Sequence, residues 1–315
     1  MAQFESLIGA NKARSVVLIV LFILLYTALL FVLAIGILAL VRGWAKVHDA
    51  VTVLDTLLVC HILAVALAIA CYVGGPGLVI SAVGARPVLR TQDTVLYNVV
   101  EEMAVAAGVE PPAVYMIDDA AMNALAAGLG PKKAAIIVTR GLRDRLSREQ
   151  LQGVVAHEMA RIQSYDVFLM TQVAALMGLL VLAAEAVKTL LSSEETAPLA
   201  LGIFLVPWAF PAILAAPALG RTIQLAVCRE RLFMADAAAA RLTRYPEALA
   251  EALEIIAADA EPLGGASRAT APLFIVQPLT SDGDRMGGEG ESAWCSHPTV
   301  AARLERLRSL GNAEG

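Results

Sequence analysis

Charge is scarce in this sequence. Only 17% of its 315 residues are Asp, Glu, Lys or Arg, against ~25% in an average soluble domain. That balance excludes an ordinary cytosolic enzyme. It also excludes a disordered chain, which needs low hydrophobicity and high net charge. Basic residues are in deficit as well, with 24 Lys and Arg against 29 Asp and Glu. The chain therefore has no electrostatic footprint for nucleic acid. Cysteine is sparse: Cys60, Cys71, Cys228 and Cys295 show no paired spacing. This excludes a disulfide framework and a Cys-x-x-Cys metal knuckle.

Apolar residues fill the gap, at 58% of the chain with a mean hydropathy of +0.69. Val16 to Val41 is an apolar run of about 26 residues, long enough to cross ~30 Å of hydrocarbon. A signal peptide has an apolar region of only ~7–15 residues, so an anchored helix is expected. Thr52 to Val73 is a second run, interrupted by Asp55 and His61, and the short link Arg42–Val51 makes the two a membrane hairpin. The lone imidazole of His61 is read as bonding a neighbouring helix carbonyl rather than as a relay or ligand. Two later candidates are Val167 to Leu191 and the proline-interrupted Leu199 to Leu219. Lys12, Arg14, Arg86, Arg90, Arg221, Arg229 and Arg231 flank the runs on one side, whereas the hairpin tip carries only Arg42 and Lys46. The positive-inside rule then predicts a plasma or inner membrane protein with both termini and the soluble part in the cytoplasm.

The domain organisation follows. Residues 1–73 form a transmembrane hairpin, 74–166 the first part of a cytoplasmic domain, 167–219 a second transmembrane pair and 220–315 the rest of that domain. Gly74-Gly75-Pro76-Gly77 reads as a breaker ending the second span. Gln92 to Ala107 has helical spacing, and Gly108 suits its C-cap. Ala113–Ile117 and Ala134–Thr139 read as β runs. Ser147-x-x-Gln150 fits a capping box, so a helix starts there and carries His157-Glu158-Met159-Ala160-Arg161. Ile223 to Leu242 and Pro246 to Ala260 read as helices, and Ser281 to Gly290 as a mobile loop. Val300 to Leu310 reads as an amphipathic helix whose basic face (Arg303, Arg306, Arg308) is read as solvated rather than as meeting lipid headgroups.

His157-Glu158 opens the pattern His-Glu-x-x-His, in which histidines one turn apart reach one zinc and the Glu serves as general base. Taken alone, the broken pattern would make His157 a packed core histidine. Its flanks change that weighting. Met122-Asn123-Ala124-Leu125-Ala126-Ala127-Gly128, Ala135 to Leu142, Leu151 to Glu158, Arg231-Leu232-Phe233-Met234-Ala235-Asp236-Ala237, Ala271 to Leu279 and Ser296-His297-Pro298 follow in order. With the membrane hairpin, this series resembles the HtpX-type membrane zinc metalloproteases, gluzincins related to the prenyl-protein endoproteases. The resemblance implies an α+β, mostly helical fold. It would be a gluzincin-like metalloprotease domain with a small edge β-sheet, embedded through about four transmembrane helices.

The resemblance also implies a site. Zinc in the family is held by two His of the helix and by a Glu four residues before the Asp of the Ala-Asp-Ala helix. Here His157 remains as the first ligand, Arg161 stands at the second and Leu232 at the third. Neither replacement can give a lone pair to zinc. Glu158 and His297 are left as catalytic remnants, and Asp236 would buttress His157. An Arg charge ~5 Å from Zn²⁺ would repel it by roughly 6–7 kcal/mol at an effective dielectric of ~20. Arg161 would then replace the metal as the cation and pair Glu158, or else point to solvent beside a hydrated Glu158. A shifted site of His157, Cys228 and His297 is the metal-binding alternative. Ala134, Ala135, Ile136, Ile137, Val138 and Thr139 correspond to the gluzincin edge strand, which captures peptide by β-augmentation without needing zinc.

The resulting reading is a catalytically inactive pseudoprotease that binds peptides or partner proteins through the remnant cleft. The alternatives are an active zinc metalloendopeptidase with non-standard ligands and a structural membrane scaffold. No cofactor is expected, with zinc entering only under the first alternative. Expected partners are membrane lipids and a membrane protein, peptide or partner protease.

Overall fold

Two long helices lead the chain, α1 (Ala2–Arg42) and α2 (Ala50–Ala82), and they pack against each other. The structure is a computed structural model that describes residues 2–43, 49–192, 231–259, 261–267, 269–278 and 297–313. Both helices carry apolar stretches long enough to cross a bilayer, with mean hydropathy 3.2 over Ser15–Ala39 and 2.5 over Ala50–Ala82. Leu54, Leu58 and Ile62, one turn apart on α2, are all more than half exposed. In water that stripe would be costly, and in hydrocarbon it is not. His61 meets α1 as expected, although its Nδ1 lies 3.1 Å from the Thr27 hydroxyl rather than from a carbonyl.

Gly74-Gly75-Pro76-Gly77 does not end α2, which continues to Ala82. Proline removes only one intrahelical donor, and tertiary packing offsets that loss. Gly75 sits against α6 (Asp166–Ser192), where a Cβ would lie 3.3 Å from Gln172 Nε2 and 3.5 Å from Ala175 Cβ. The first half of α6 is likewise packed in protein rather than in lipid. Val167, Leu169, Met170, Val173 and Leu176 are buried, and α6 contacts α1, α2 and the sheet. Among the described residues, two helices qualify as spans, and the fourth apolar segment lies outside those residues.

The sheet has four strands in the order β1-β2-β4-β3: β1 (Arg86–Pro87), β2 (Ala113–Ile117), β3 (Ala124–Gly130) and β4 (Lys133–Thr139). The β2–β4 pair is parallel, and the two outer pairs are antiparallel. One face, with Ala126, Ile136 and Val138, joins the main core with α3 (Thr94–Ala107) and α5 (Arg148–Gln163). The other, with Leu125, Ala127 and Ile137, packs on Val79 and Val83 at the end of α2 and on Met170 of α6. This topology corrects one expectation. Ala134–Thr139 is an interior strand, bonded on both sides, so it cannot accept a peptide. The outer strand of that side is β3.

Local signals position the rest. Asp93 caps α3 through the Leu96 N–H, and Gly108 closes it at φ 65. The short α4 (Arg140–Arg145) follows β4 directly, capped by Thr139. Ser147 and Gln150 form the reciprocal capping box that starts α5. A further helix, α7, spans residues 231–243. Then come α8 (Pro246–Ala257), a 3₁₀ turn (Ala271–Leu273) and α9 (Val300–Ala313). α8 packs across both α5 and α9, so the helix carrying His157 is held in the centre of the soluble part.

Candidate active site

α5 brings His157, Glu158 and Arg161 into the interior, with exposures of 0%, 0% and 2%. Glu158 and Arg161 share a face because three residues make nearly one helical turn. Arg161 Nη1 lies 3.1 Å from Oε2 and 3.4 Å from Oε1 of Glu158. Of the two readings of Arg161, the paired one is the observed one. The same guanidinium also donates from Nε to Asp166 Oδ2 at 3.0 Å and from Nη1 to the Leu273 carbonyl at 2.6 Å. Asp166, at the start of α6, meets Arg231 Nη1 of α7 at 2.6 Å. Burial would raise the Asp166 carboxyl, but the charges of Arg231 and Arg161 outweigh it and hold it below its ordinary range.

His157 lies on the other side of this cluster. Its Nδ1 is 2.8 Å from Asp236 Oδ1, close but not aligned as a hydrogen bond. Asp236 is shared with Arg303 of α9, which donates Nε to Oδ2 at 2.8 Å and Nη2 to Oδ1 at 2.7 Å. Burial opposes this carboxylate's charge, yet Arg303 and His157 hold it down to about 2. Arg303 was expected on a solvated face; it is 1% exposed and also donates to the Ile275 carbonyl at 2.6 Å. Its neighbours on α9 do stay outside, with Arg306 stacked 3.7 Å over the Phe233 ring and Arg308 paired with Glu254.

His297 is also buried, and its Nε2–H donates to the Phe274 carbonyl at 2.7 Å. Burial pushes its pKa down to about 3, against the pull of that carbonyl and with the help of the nearby Arg303 and Arg161 charges. Three successive carbonyls, Leu273, Phe274 and Ile275, thus each accept from Arg161, His297 or Arg303. The same segment lies on the outer edge of β3. Phe274 bridges Leu125 antiparallel, the Ile275 N–H donates to the Ala124 carbonyl, and Asn123 Nδ2 reaches the Val276 carbonyl. The Ala124–Leu125 end of β3 is therefore occupied by the chain's own backbone.

Among the described residues, the cluster contains three guanidiniums (Arg161, Arg231, Arg303) and three carboxylates (Glu158, Asp166, Asp236). Their formal charges cancel when an imidazole is counted as neutral. The sequence pattern marks Arg161, Glu158 and Asp236 but not Arg303, Arg231 or Asp166 as members.

A zinc ion is what the resemblance implies here, and the residues present do not fit it. The His157 Nε2, buried and without a hydrogen-bond partner, is one suitable donor. Position 161 offers a guanidinium and position 232 a buried leucine, neither with a lone pair to give. Among the described residues no group of three His, Cys, Asp or Glu is arranged to hold a metal. Cys228, the alternative ligand, lies outside the described residues.

Comparison with known proteins places the chain. The model of peptidase family M48 matches residues 90–311. A protease HtpX homolog of Dictyoglomus turgidum is 39% identical over 235 residues, covering 74% of this chain and 75% of the relative. A protease HtpX homolog of Caldanaerobacter subterraneus subsp. tengcongensis is 38% identical over 239 residues, covering 74% and 77%. The crystal structure of S. mikatae Ste24p matches at 19% identity with a TM-score of 0.48, covering 87% of this chain and 62% of that one. With a family match over most of its length and relatives this similar across three quarters of theirs, the chain belongs to peptidase family M48, as an HtpX-like membrane protein.

Proposed function

We propose that this chain is a non-catalytic member of its family, a membrane-embedded pseudoprotease that acts by binding a protein partner rather than cleaving it. The observation that carries the reading is Arg161. Its guanidinium stands where the family's second histidine would ligate and holds the base-position Glu158 in an ion pair. A carboxylate so engaged is a poor base, because leaving Arg161 would strand a buried charge. The cancelling charges of the cluster support the same reading, since a dication would add about two uncompensated charges inside the protein.

The edge of β3 beyond Leu125 is closed as well, since Ala126 and Ala127 are buried and the Gly128 N–H donates to the Thr171 hydroxyl of α6. Partner capture therefore belongs on side-chain surfaces rather than on strand pairing. Orientation is part of the proposal: the termini and soluble part face the cytoplasm, in line with the flanking basic residues.

The test is metal analysis together with casein cleavage by the purified full chain, as wild type, His157→Ala and Arg161→His/Leu232→Glu. The wild type should hold no stoichiometric zinc and cut nothing, and the double variant should regain both properties. Stoichiometric zinc in the wild type that is lost with His157→Ala, accompanied by cleavage, would overturn the reading in favour of an active zinc enzyme with unusual ligands.

A further inference from the structure

A groove lies where α2 leaves the membrane. α2 has 33 residues, about 50 Å at ~1.5 Å per residue, against ~30 Å of hydrocarbon. α2 stays apolar to Ala82, but ~30 Å of hydrocarbon takes only about 20 residues, so with the span starting near Thr52 the stretch from Val73 to Ala82 rises through the headgroup level. Tyr72, 47% exposed, then sits at the boundary, where tyrosines anchor helices. Further along, Val79 and Val83 dock on the sheet.

Between the membrane boundary and that contact, α2 and the sheet stand apart. The cavity between them holds about 710 Å³ and is walled by Pro76 and Ile80 of α2, Ala113 and Tyr115 of β2, and the β3–β4 hairpin. Tyr165 braces the hairpin. Its own φ is 60, and its ring lies so close beneath Gly130 (φ 127) that a Cβ there would approach within 2.7 Å. The groove is therefore built on a fixed wall rather than on a loose turn.

Its chemistry is two-part. The walls are mostly apolar or aromatic, and the rim carries Lys132 and Lys133, both exposed. No carboxylate lines it among the described residues, and neither lysine forms an ion pair there. An apolar slot open at the bilayer boundary beneath two unmatched cations suits an acyl chain under a phosphate. Each lysine near an anionic headgroup strengthens binding by roughly fivefold.

We infer that this groove binds one anionic phospholipid of the surrounding bilayer, with an acyl chain along Pro76 and Ile80 and the headgroup phosphate on Lys132 and Lys133. The site is separate from the buried cluster around His157 and does not depend on whether the protein cleaves peptide. Occupied, it would tie the β3–β4 hairpin to the membrane surface and so fix the height of the soluble part above it.

The test is native mass spectrometry of the full chain in detergent with added dioleoylphosphatidylglycerol or dioleoylphosphatidylcholine. Wild type should retain one phosphatidylglycerol, with phosphatidylcholine several-fold weaker. Lys132→Glu/Lys133→Glu should lower phosphatidylglycerol retention by about tenfold or more, and Lys132→Arg/Lys133→Arg should keep it. Ala113→Trp, which fills the slot from its exposed rim, should weaken both lipids. Millimolar inorganic phosphate should fail to displace the lipid, because phosphate lacks the acyl chain. The inference is overturned by equal retention of the two lipids, by undiminished phosphatidylglycerol in the Glu variant with its melting temperature unchanged, or by full displacement with phosphate. The last result would mark a free-phosphate site instead.

Discussion

Arg161 Nη1 lies 3.1 Å from Glu158 Oε2, on the same helix and with both side chains inside the protein. This pair joins two ends of the soluble part, because the same guanidinium reaches Asp166 of α6 and the Leu273 carbonyl. Arg161→Met should therefore destabilise the fold strongly. It removes one cation and leaves two carboxylates buried, and breaking a buried pair from one side costs about 3–5 kcal/mol. Arg161→Lys should rescue little, because an ammonium lacks the planar fork that serves three acceptors at once. Thermal unfolding in detergent measures both variants. An Arg161→Met melting temperature equal to wild type would show that the guanidinium stabilises nothing.

α5 is placed by a close approach as well as by charge. A Cβ at Gly153 would lie 2.8 Å from the Leu249 nitrogen and 2.9 Å from its Cα, both backbone atoms of α8. Backbone cannot rotate aside as a side chain can, so Gly153→Ala should push α8 away from α5. The helix-propensity gain of ~1 kcal/mol for Gly→Ala should be outweighed by overpacking of about 1–3 kcal/mol. A net loss of stability is the expected result, and a gain in melting temperature would mean that the two helices separate at little cost.

Which elements the sequence displays and which it hides has physical causes. The α3 helix, the Gly108 C-cap, the Ser147 capping box and the β2 and β4 runs were legible because each is written in adjacent residues. β3 was not legible as a strand. Its residues, Ala124 to Gly130, are alanine, glycine and two leucines with no β-branched side chain, so neither propensity nor alternation marks it, and only pairing with β4 makes it a strand. That omission also misplaced the sheet edge. Arg303 was misread for a related reason: beside Arg306 and Arg308 it completes a basic stripe, and its partner Asp236 is 67 residues away. The spacing of Glu158 and Arg161 showed that they could pair, but the choice between pairing and solvent depended on Asp166 and the Leu273 carbonyl.

Arg303 gives a sharper test of the cluster. It binds Asp236 through two nitrogens and the Ile275 carbonyl through a third. Arg303→Leu should destabilise by about 3–5 kcal/mol, since it strands the Asp236 carboxylate. Adding Asp236→Asn should recover part of that loss by removing the stranded charge. A double-mutant cycle read from unfolding midpoints should give a coupling of about 1 kcal/mol or more. Simple additivity of the two changes would show that the pair does not act as a unit.

Burial of His297 should make the fold sensitive to acid. Its folded pKa is pushed down to about 3, whereas an unfolded histidine titrates near ~6.5. Above ~6.5 neither state binds the proton. As pH falls from there toward about 3, the unfolded chain takes up a proton that the folded chain refuses, so stability drops by up to ~1.4 kcal/mol per pH unit. Asp236, held at about 2, adds its own loss only lower, between ~4 and about 2. His297→Gln keeps an N–H for the Phe274 carbonyl and removes the titration. Unfolding midpoints at pH 7.5, 6 and 5 should therefore decline in the wild type and stay nearly level in the variant. Parallel declines in the two proteins would place the acid sensitivity elsewhere.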